Sequence, residues 1–183
     1  MKQQIEGNGR QLSDIASIRQ RARKHIESGA VTDSYAADLP TVLRLLNEAL
    51  ATELVCTLRY RRHYFMADGL AAESVKQEFM EHAQQELAHA DRIAARIVQL
   101  DGAPNFDPNG LAERSHAEYV AGESLESMIR EDLVAERIAI DSYKEAIRYL
   151  GNQDPTTRRL FEEILAQEEE HAEDLSSMLQ GIG

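Results

Sequence analysis

Glycine and proline divide this chain into long helix-forming segments, and the links between the segments constrain the fold more than any other feature. Clear breaks occur at Asp68-Gly69, at Asp101-Gly102-Ala103-Pro104 and at Gly151-Asn152-Gln153-Asp154-Pro155. Between the breaks the chain is rich in Ala, Leu, Glu, Arg, Gln and Met, which favour helix, and no alternating β-branched run predicts a strand. We therefore predict four long helices, at about 40–67, 70–101, 123–150 and 155–179, and an N-terminal helix at about 11–28.

The lengths of the links predict how the four long helices are connected. Tight turns join the first helix to the second and the third to the fourth, so each pair is antiparallel. The link between the second and third helices has roughly twenty residues and can extend about 66 Å, whereas a 28-residue helix is about 42 Å long. We predict an all-α four-helix bundle with one long crossover at residues 38–183, preceded by an N-terminal extension at residues 1–37.

The charge is distributed unevenly along the chain. The net charge is −12, with +1 on residues 1–40 and −13 on the remainder. The body should therefore repel nucleic acid and attract cations. DNA contact is conceivable only for the N-terminal segment, through "IRQRARKH" (18–25), and we favour a solvated face there instead. The basic residues of "LRYRRHYF" (58–65) are expected at a subunit contact.

Composition and the single cysteine also indicate the cellular compartment of the protein. Hydrophobic residues make up 43% of the chain, but no apolar run of about 18 residues predicts a membrane span. The N-terminal residues lack the apolar segment of a signal peptide. The single cysteine, Cys56, cannot form an internal disulfide, which fits a reducing compartment. We therefore expect a cytoplasmic protein without a membrane partner.

Acidic and imidazole side chains interrupt the apolar face of each long helix. Two Glu-x-x-His pairs lie on the second and fourth helices, where a spacing of three places both side chains on one face. A single glutamate interrupts the first helix and another the third. The six residues are Glu53, Glu86, His89, Glu136, Glu168 and His171. A further pair, Glu113 and His116, lies in the crossover without a matching apolar face, and we interpret it as coincidence.

The spacing of these residues repeats along the chain. Glu53 precedes Glu86 by 33 residues, and Glu136 precedes Glu168 by 32. Folding the two helical hairpins together brings four carboxylates and two imidazoles to the centre, which is the general arrangement of di-iron and di-manganese carboxylate bundles. Buried carboxylates need compensating charge, and oxygen and imidazole ligands suit iron, manganese or zinc. The sequence therefore predicts a site for two metal ions per subunit.

Four stretches of the chain resemble the ferritin-like superfamily, and most of all its bacterioferritins, over about residues 38–179. They are "LLNEALATEL" (45–54), "ELAHADRIAARIVQLDGAPN" (86–105), "EDLVAERIAI" (131–140) and "EEEHAEDL" (168–175). The resemblance implies a di-iron site with one metal on Glu53 and His89, the other on Glu136 and His171, and Glu86 and Glu168 as bridges. It also implies that Tyr60, seven residues after Glu53, lies beside the site and donates electrons to it.

The chain departs from the bacterioferritin pattern at several positions. Leu87 stands where bacterioferritins carry the haem-ligating methionine, so haem is not expected. Gln85 replaces an acidic auxiliary iron ligand, with Glu81 and His82 as possible substitutes. The N-terminal extension and the lack of a short fifth helix resemble the dodecameric DNA-protection ferritins. Another dodecameric group often carries a cysteine pair beside an internal site, a feature that the lone Cys56 does not fulfil.

We interpret the chain as an iron-storing ferroxidase that oxidises Fe(II) with O2 or H2O2 in a homo-oligomeric shell of 12 or 24 subunits. One alternative is a dodecameric DNA-protecting protein. A second is a di-manganese catalase or a rubrerythrin-like peroxidase, although rubredoxin-type Cys-x-x-Cys pairs are absent from the sequence. A third is a bundle whose buried polar residues are purely structural.

Overall fold

The protein is all-α in a computed structural model that describes residues 12–69 and 72–182, and no strand occurs in those ranges. The elements in chain order are α1 (Ile15–Arg21), a 3-10 turn (Ile26–Ser28), α2 (Leu39–Met66), α3 (Ala72–Gln99), α4 (Leu111–Arg114), α5 (Leu125–Leu150) and α6 (Pro155–Ile182). The four long helices are those predicted from the sequence, with ends that differ by up to three residues. No helix in the described ranges has the combination of length and apolar character that crossing a membrane requires.

The long helices form two hairpins. Helix α2 packs mainly on α3, and α5 packs mainly on α6. The crossover at residues 100–124 runs alongside α2, because Asn105 N donates to Asn47 Oδ1 (2.7 Å) and Arg59 Nη1 donates to the carbonyl oxygen of Glu118 (2.8 Å). These contacts lie twelve residues apart on α2, or about 18 Å along its axis. The predicted four-helix bundle with one long crossover is confirmed.

The ends of the helices follow from local side-chain chemistry. Asp154 caps α6, since its Oδ1 accepts from Thr157 N at 2.9 Å and proline follows it at the first helical position. Asp38 caps α2 in the same way, through Thr41 N. Helix α5 ends at Gly151, which has a φ of 48°, a conformation that glycine adopts without strain.

The N-terminal segment differs from the single helix predicted at about 11–28. Residue 11 lies outside the described ranges, and α1 ends at Arg21. The left-handed backbone of His25 (φ 47°) then interrupts the segment before a short 3-10 turn. No apolar face holds this stretch to the bundle, because Ile15, Ile18 and Ile26 are at least half exposed.

Two apolar clusters fill the bundle and leave a polar layer between them. The first cluster includes Leu46, Ile93, Tyr143 and Phe161, and Val31 and Tyr35 of the N-terminal segment pack against it. The second includes Tyr60, Phe79, Ile129 and Leu175. Along every long helix the predicted ligands lie between these two groups, so the polar layer occupies the middle of the bundle.

Candidate metal centre

The structure brings all six predicted ligands and Tyr60 together in the polar layer. Their side chains come from all four long helices, and each residue is at most 2% exposed. The contributors are Glu53 and Tyr60 on α2, Glu86 and His89 on α3, Glu136 on α5, and Glu168 and His171 on α6. On α3 and α6 the spacing of three residues directs both members of each Glu-x-x-His pair to the same side.

The potential ligand atoms form two overlapping groups. Within each group one atom of every residue lies within 4.8 Å of the others. One group is Glu53, Glu86, His89 and Glu168, and the other is Glu86, Glu136, Glu168 and His171. Glu86 and Glu168 belong to both groups, which is the position that bridging carboxylates would take. Each hairpin contributes three residues to one group and one residue to the other.

Two glutamines orient the imidazoles. His89 Nε2 lies 2.8 Å from Gln167 Oε1, and His171 Nε2 lies 2.5 Å from Gln85 Oε1. An amide oxygen only accepts, so each Nε2 donates and each Nδ1 faces the carboxylates. Partners of this kind fix the orientation of metal-binding histidines. This role of Gln85 and Gln167 was not predicted from the sequence, although the pattern Gln-Glu-x-x-His occurs at both 85–89 and 167–171.

Two tyrosines cross between α2 and α5 beside the cluster. Tyr60 donates to Glu136 Oε1, and Tyr143 donates to Glu53 Oε1. Burial and these carboxylates raise the pKa of both phenols well above the ordinary value, so both stay protonated. Tyr143 is absent from the residues predicted above. It follows Glu136 by seven positions, just as Tyr60 follows Glu53, and this repeated spacing was the signal available in the sequence.

Without metal, the crowded carboxylates differ in acidity. Burial and the charges of Glu168 and Glu53 raise the pKa of Glu86 well above its ordinary value. Burial and the neighbouring Glu53 and Glu136 raise the pKa of Glu168 to about 7. Burial acts in the same direction on Glu136, but close contacts with His171 and Glu168 and the hydrogen bond from Tyr60 outweigh it and lower the pKa of Glu136 to about 2. The cluster therefore holds more carboxyl groups than it can ionise together.

The imidazoles are charged in the metal-free cluster. Burial lowers the pKa of His89, but the close carboxylate of Glu168 and the hydrogen bond with Glu53 outweigh this effect and raise the pKa to about 10. The pKa of His171 rises to about 9, because the nearby carboxylates of Glu136 and Glu168 favour the charged ring and outweigh its burial. Two protons thus partly balance the carboxylates, at the positions where a metal would bind the same nitrogen atoms.

The polar atoms of the cluster fit a pair of divalent metal ions. Five of them are buried without a hydrogen-bond partner among the described residues: Glu86 Oε1, Glu136 Oε2, both carboxylate oxygens of Glu168, and His171 Nδ1. Leaving such atoms unpaired in a protein interior is costly. A metal bound at the common centre of these carboxylate and imidazole atoms would remove that free-energy cost. Oxygen and nitrogen donors of this kind suit iron, manganese or zinc.

A second buried polar network lies one to two turns from the cluster and corrects one expectation. Arg59 and His63, from the stretch expected at a subunit contact, are at most 1% exposed. Arg59 Nε donates to Asp132 Oδ1 at 2.7 Å, and His63 Nδ1 lies 2.8 Å from Asp132 Oδ2. No pattern in the sequence indicates this pairing, because Asp132 lies 73 residues from Arg59. The network ties α2 to α5 and to the crossover rather than to another subunit.

Comparison with known proteins agrees with this architecture. Residues 43–182 match the family model described as a ferritin-like domain. The chain is 35% identical to the bacterioferritin of Mycobacterium avium over 142 residues, which are 77% of this chain and 85% of the relative.

Solved structures show the same fold. A dodecameric thioferritin, the bacterioferritin-related protein of Bacteroides fragilis, superimposes with a TM-score of 0.77 at 33% identity, over 80% of this chain and 89% of that one. Dps from Thermosynechococcus elongatus superimposes with a TM-score of 0.74 at 22% identity, over 76% of this chain and 90% of that one, which is evidence for the fold alone. On the family match, the coverage of the relatives and the four-helix architecture together, the chain belongs to the ferritin-like family.

Proposed function

We propose that this protein is a ferroxidase that oxidises Fe(II) to Fe(III) at a dinuclear carboxylate site within each subunit and stores the product in a homo-oligomeric shell. The observation that carries the proposal is the pair of overlapping ligand groups that share Glu86 and Glu168 in the bundle core. The relatives named bacterioferritin support iron as the metal. The dodecameric state given for the B. fragilis relative supports a shell.

The proposed substrates are two Fe(II) ions and one molecule of O2 or H2O2. Each Fe(II) loses one electron and becomes Fe(III). The two electrons and two protons convert O2 into H2O2, or convert H2O2 into two water molecules. Carboxylates suit this reaction because they bind iron in either oxidation state and can change between bridging and terminal positions. We assign that change to Glu86 and Glu168, and their membership of both ligand groups supports this assignment.

The residues around the ligands have distinct proposed roles. Gln85 and Gln167 hold the imidazoles with Nδ1 towards the metals. Tyr60 and Tyr143 each donate a hydrogen bond to a terminal carboxylate and so limit its movement. The bacterioferritin resemblance also implies electron donation by Tyr60, which the two-electron reactions given above do not require. The net charge of −13 beyond residue 40 attracts Fe(II) to the subunit.

Replacement of one ligand tests the proposal. Glu136→Gln keeps the size of the side chain but removes the ionised carboxylate from one ligand group. We expect fast Fe(II) oxidation, followed by stopped-flow absorbance, to fall by at least about tenfold, within the usual effect of losing a ligand-shell group. The matched control is Glu145→Gln, an exposed glutamate on the same helix, which should oxidise Fe(II) at the wild-type rate. Equal rates in all three proteins would reject Glu136 as a ligand.

Metal content and native mass separate this function from its rivals. Purified protein that contains iron and has the mass of a 12- or 24-subunit shell supports storage. Manganese in a small oligomer, with rapid disproportionation of H2O2, would select a catalase instead. A protein that binds no metal with the expected ligands and retains full stability would indicate a purely structural bundle.

A further inference from the structure

A third group of ligand-type side chains lies beside the dinuclear cluster. It consists of Glu78 and His82 on α3 and Asp174 on α6, each of which offers one atom within 4.8 Å of the others. His82 precedes Glu86 by one helical turn, and Asp174 follows His171 by three residues. The group therefore lies one turn away from the cluster, at the seam between the two hairpins.

A hydrogen bond determines which nitrogen atom of His82 is free. The hydroxyl of Tyr60 donates its only proton to Glu136, and His82 Nδ1 lies 3.3 Å from the same hydroxyl oxygen. His82 Nδ1 must therefore be the donor in this contact. In the neutral ring the lone pair then belongs to Nε2, the atom that faces away from Tyr60.

The free nitrogen faces two carboxylates. His82 Nε2 lies 3.9 Å from Glu78 Oε2 and 3.8 Å from Asp174 Oδ2, which is beyond hydrogen-bond distance. The side chain of His82 is 98% buried, whereas Glu78 and Asp174 are 41% and 48% exposed. Three electron-pair donors thus converge on one point, and none of the three side chains places a proton between them.

We infer that Glu78, His82 and Asp174 hold a third divalent transition-metal ion, separate from the dinuclear pair. Atoms bound to one such ion at about 2.0–2.2 Å lie about 3–4 Å from one another, and the distances of 3.9 and 3.8 Å from His82 Nε2 to the two carboxylates fall in this range. One imidazole and two carboxylates suit Fe(II), Mn(II), Co(II) or Zn(II). The two carboxylates balance the charge of one ion, and their exposed sides leave coordination positions for water.

The proposed third site is in direct contact with residues of the dinuclear centre. The ring of His82 stacks on that of His171 with centroids 4.1 Å apart, and His82 also contacts Tyr60. The exposed carboxylates open towards solvent, while the buried imidazole faces the cluster. If the proposed ferroxidase function holds, an Fe(II) ion at this third site waits next to the reaction centre in exchange with solvent. The metal site itself does not require that function.

Cobalt binding to the metal-free, full-length protein tests the inference. We expect about three Co(II) per wild-type subunit at saturation in equilibrium dialysis, with ligands of the kind that cobalt accepts. A crystal of the loaded protein should show an anomalous difference peak between Glu78, His82 and Asp174. The double variant Glu78→Gln/Asp174→Asn should bind about two Co(II) and lose that peak.

Two further variants keep the outcomes separate. Glu73→Gln/Glu173→Gln removes two exposed carboxylates from the same helices and should still bind about three Co(II). Glu86→Gln, which removes a shared ligand of the dinuclear centre, should retain the anomalous peak at the third site. His82 is left unchanged because its ring contacts His171.

The results distinguish failure of the third site from failure of the proposed ferroxidase function. Wild-type protein without the peak at Glu78, His82 and Asp174 overturns the inference, as does a Glu78→Gln/Asp174→Asn variant that keeps all three ions or loses all of them. A peak at the third site in protein without ions in the dinuclear cluster would support this inference and reject the proposed ferroxidase.

Discussion

At the scale of single residues, Glu86 and Glu136 have opposite acidities in one cluster. The pKa of Glu86 is raised by burial and by neighbouring carboxylates, whereas close contacts and a hydrogen bond lower that of Glu136 to about 2. A raised carboxyl pKa destabilises the folded state once the pH exceeds the ordinary value, and a lowered one stabilises it there. The two glutamates should therefore respond differently to the same isosteric replacement.

We expect Glu86→Gln to raise, and Glu136→Gln to lower, the melting temperature of the metal-free protein at pH 7. The loss for Glu136→Gln should be about 1.5–3 kcal/mol, the range for hydrogen bonds to charged groups, or about 2–4 °C for each kcal/mol in a domain of this size. Thermal melts in a chelator provide the measurement. At pH 3.5 the gain for Glu86→Gln should largely disappear, because the wild-type carboxyl is then mostly protonated in both the folded and the unfolded state. A Glu86→Gln protein that melts well below wild type at pH 7 would show that burial and the neighbouring carboxylates do not destabilise ionised Glu86.

Metal binding should release protons from the two imidazoles. His89 and His171 have pKa values of about 10 and about 9 without metal, so both are protonated at pH 7, and their Nδ1 atoms must lose a proton to bind a metal. Titration calorimetry with Zn(II) in buffers of different ionisation enthalpy should show about two or more protons released per subunit. Affinity should keep rising from pH 7 to about 9. Heats that do not depend on the buffer would refute this coupling.

The sequence is informative about single residues only where a pattern repeats. Regular helical spacing was enough to predict that Glu53, Glu86 and Glu136 would meet, because each interrupts an apolar face. Tyr143 could have been found by the same reasoning. The contact of Arg59 with Asp132 could not, since it joins two helices with no shared pattern, and its charges are balanced only once the chain has folded.

At the scale of the elements, the start of α6 combines a helix cap with a buried ion pair. Asp154 caps the helix through Thr157, pairs with Arg96 Nη2 at 2.9 Å and accepts a hydrogen bond from Tyr35. Burial raises the pKa of Asp154, but hydrogen bonds from Thr157 and Tyr35 and the charge of Arg96 outweigh it and lower the pKa. This stabilisation is present above the unfolded-state pKa of about 3.9 and is lost as the pH falls through the folded value.

Asp154→Asn should therefore destabilise the protein at pH 7 by about 1.5–3 kcal/mol, and by less below pH 4. Asparagine keeps one oxygen for the cap but removes the charge and the Oδ2 acceptor of Tyr35, so the pH dependence of the loss is what identifies the part due to charge. Denaturant unfolding at pH 7 and pH 3.5 measures both values, with the exposed Asp141→Asn on α5 as the matched control. A difference between Asp154→Asn and wild type that is equal at the two pH values would show that the charge is not responsible.

The ends of helices were predictable where a capping residue or glycine marks them. Asp154-Pro155 and Gly151 lie where the sequence predicts the link between the third and fourth helices. The N-terminal helix was predicted too long, because its composition favours helix as far as residue 28 but no packing surface supports it past Arg21. Tertiary contacts, which the sequence does not display, decide that boundary.

At the scale of the whole molecule, residue 87 on the exposed face of α3 has a side chain that cannot bind haem iron. Leu87, at the position of the haem-ligating methionine in bacterioferritins, is 42% exposed and carries no sulfur atom that could bind haem iron. We expect protein expressed with abundant haem to show no Soret band after purification. The full-length protein should nevertheless oxidise Fe(II). A stoichiometric b-type spectrum would contradict this prediction.

Whole-molecule topology was the most predictable feature, because the length of the crossover permits few alternatives. The number of subunits could not be predicted in the same way. It depends on how outer surfaces meet, and exposed residues such as Leu58, Phe65 and Tyr149 follow no periodic pattern that specifies a partner surface.

Each hairpin supplies one residue to the ligand group of the other hairpin. The two halves of the chain therefore depend on each other for a complete site. Each ligand group takes three residues from one hairpin and one from the other, and the two tyrosines cross the same boundary in opposite directions. A movement that separates the hairpins removes a donor from both positions together, so neither can be vacated alone by that route. Capture and escape of the ions are thereby expected to be all-or-none within a subunit, and graded behaviour would arise only from the population of subunits in an assembly.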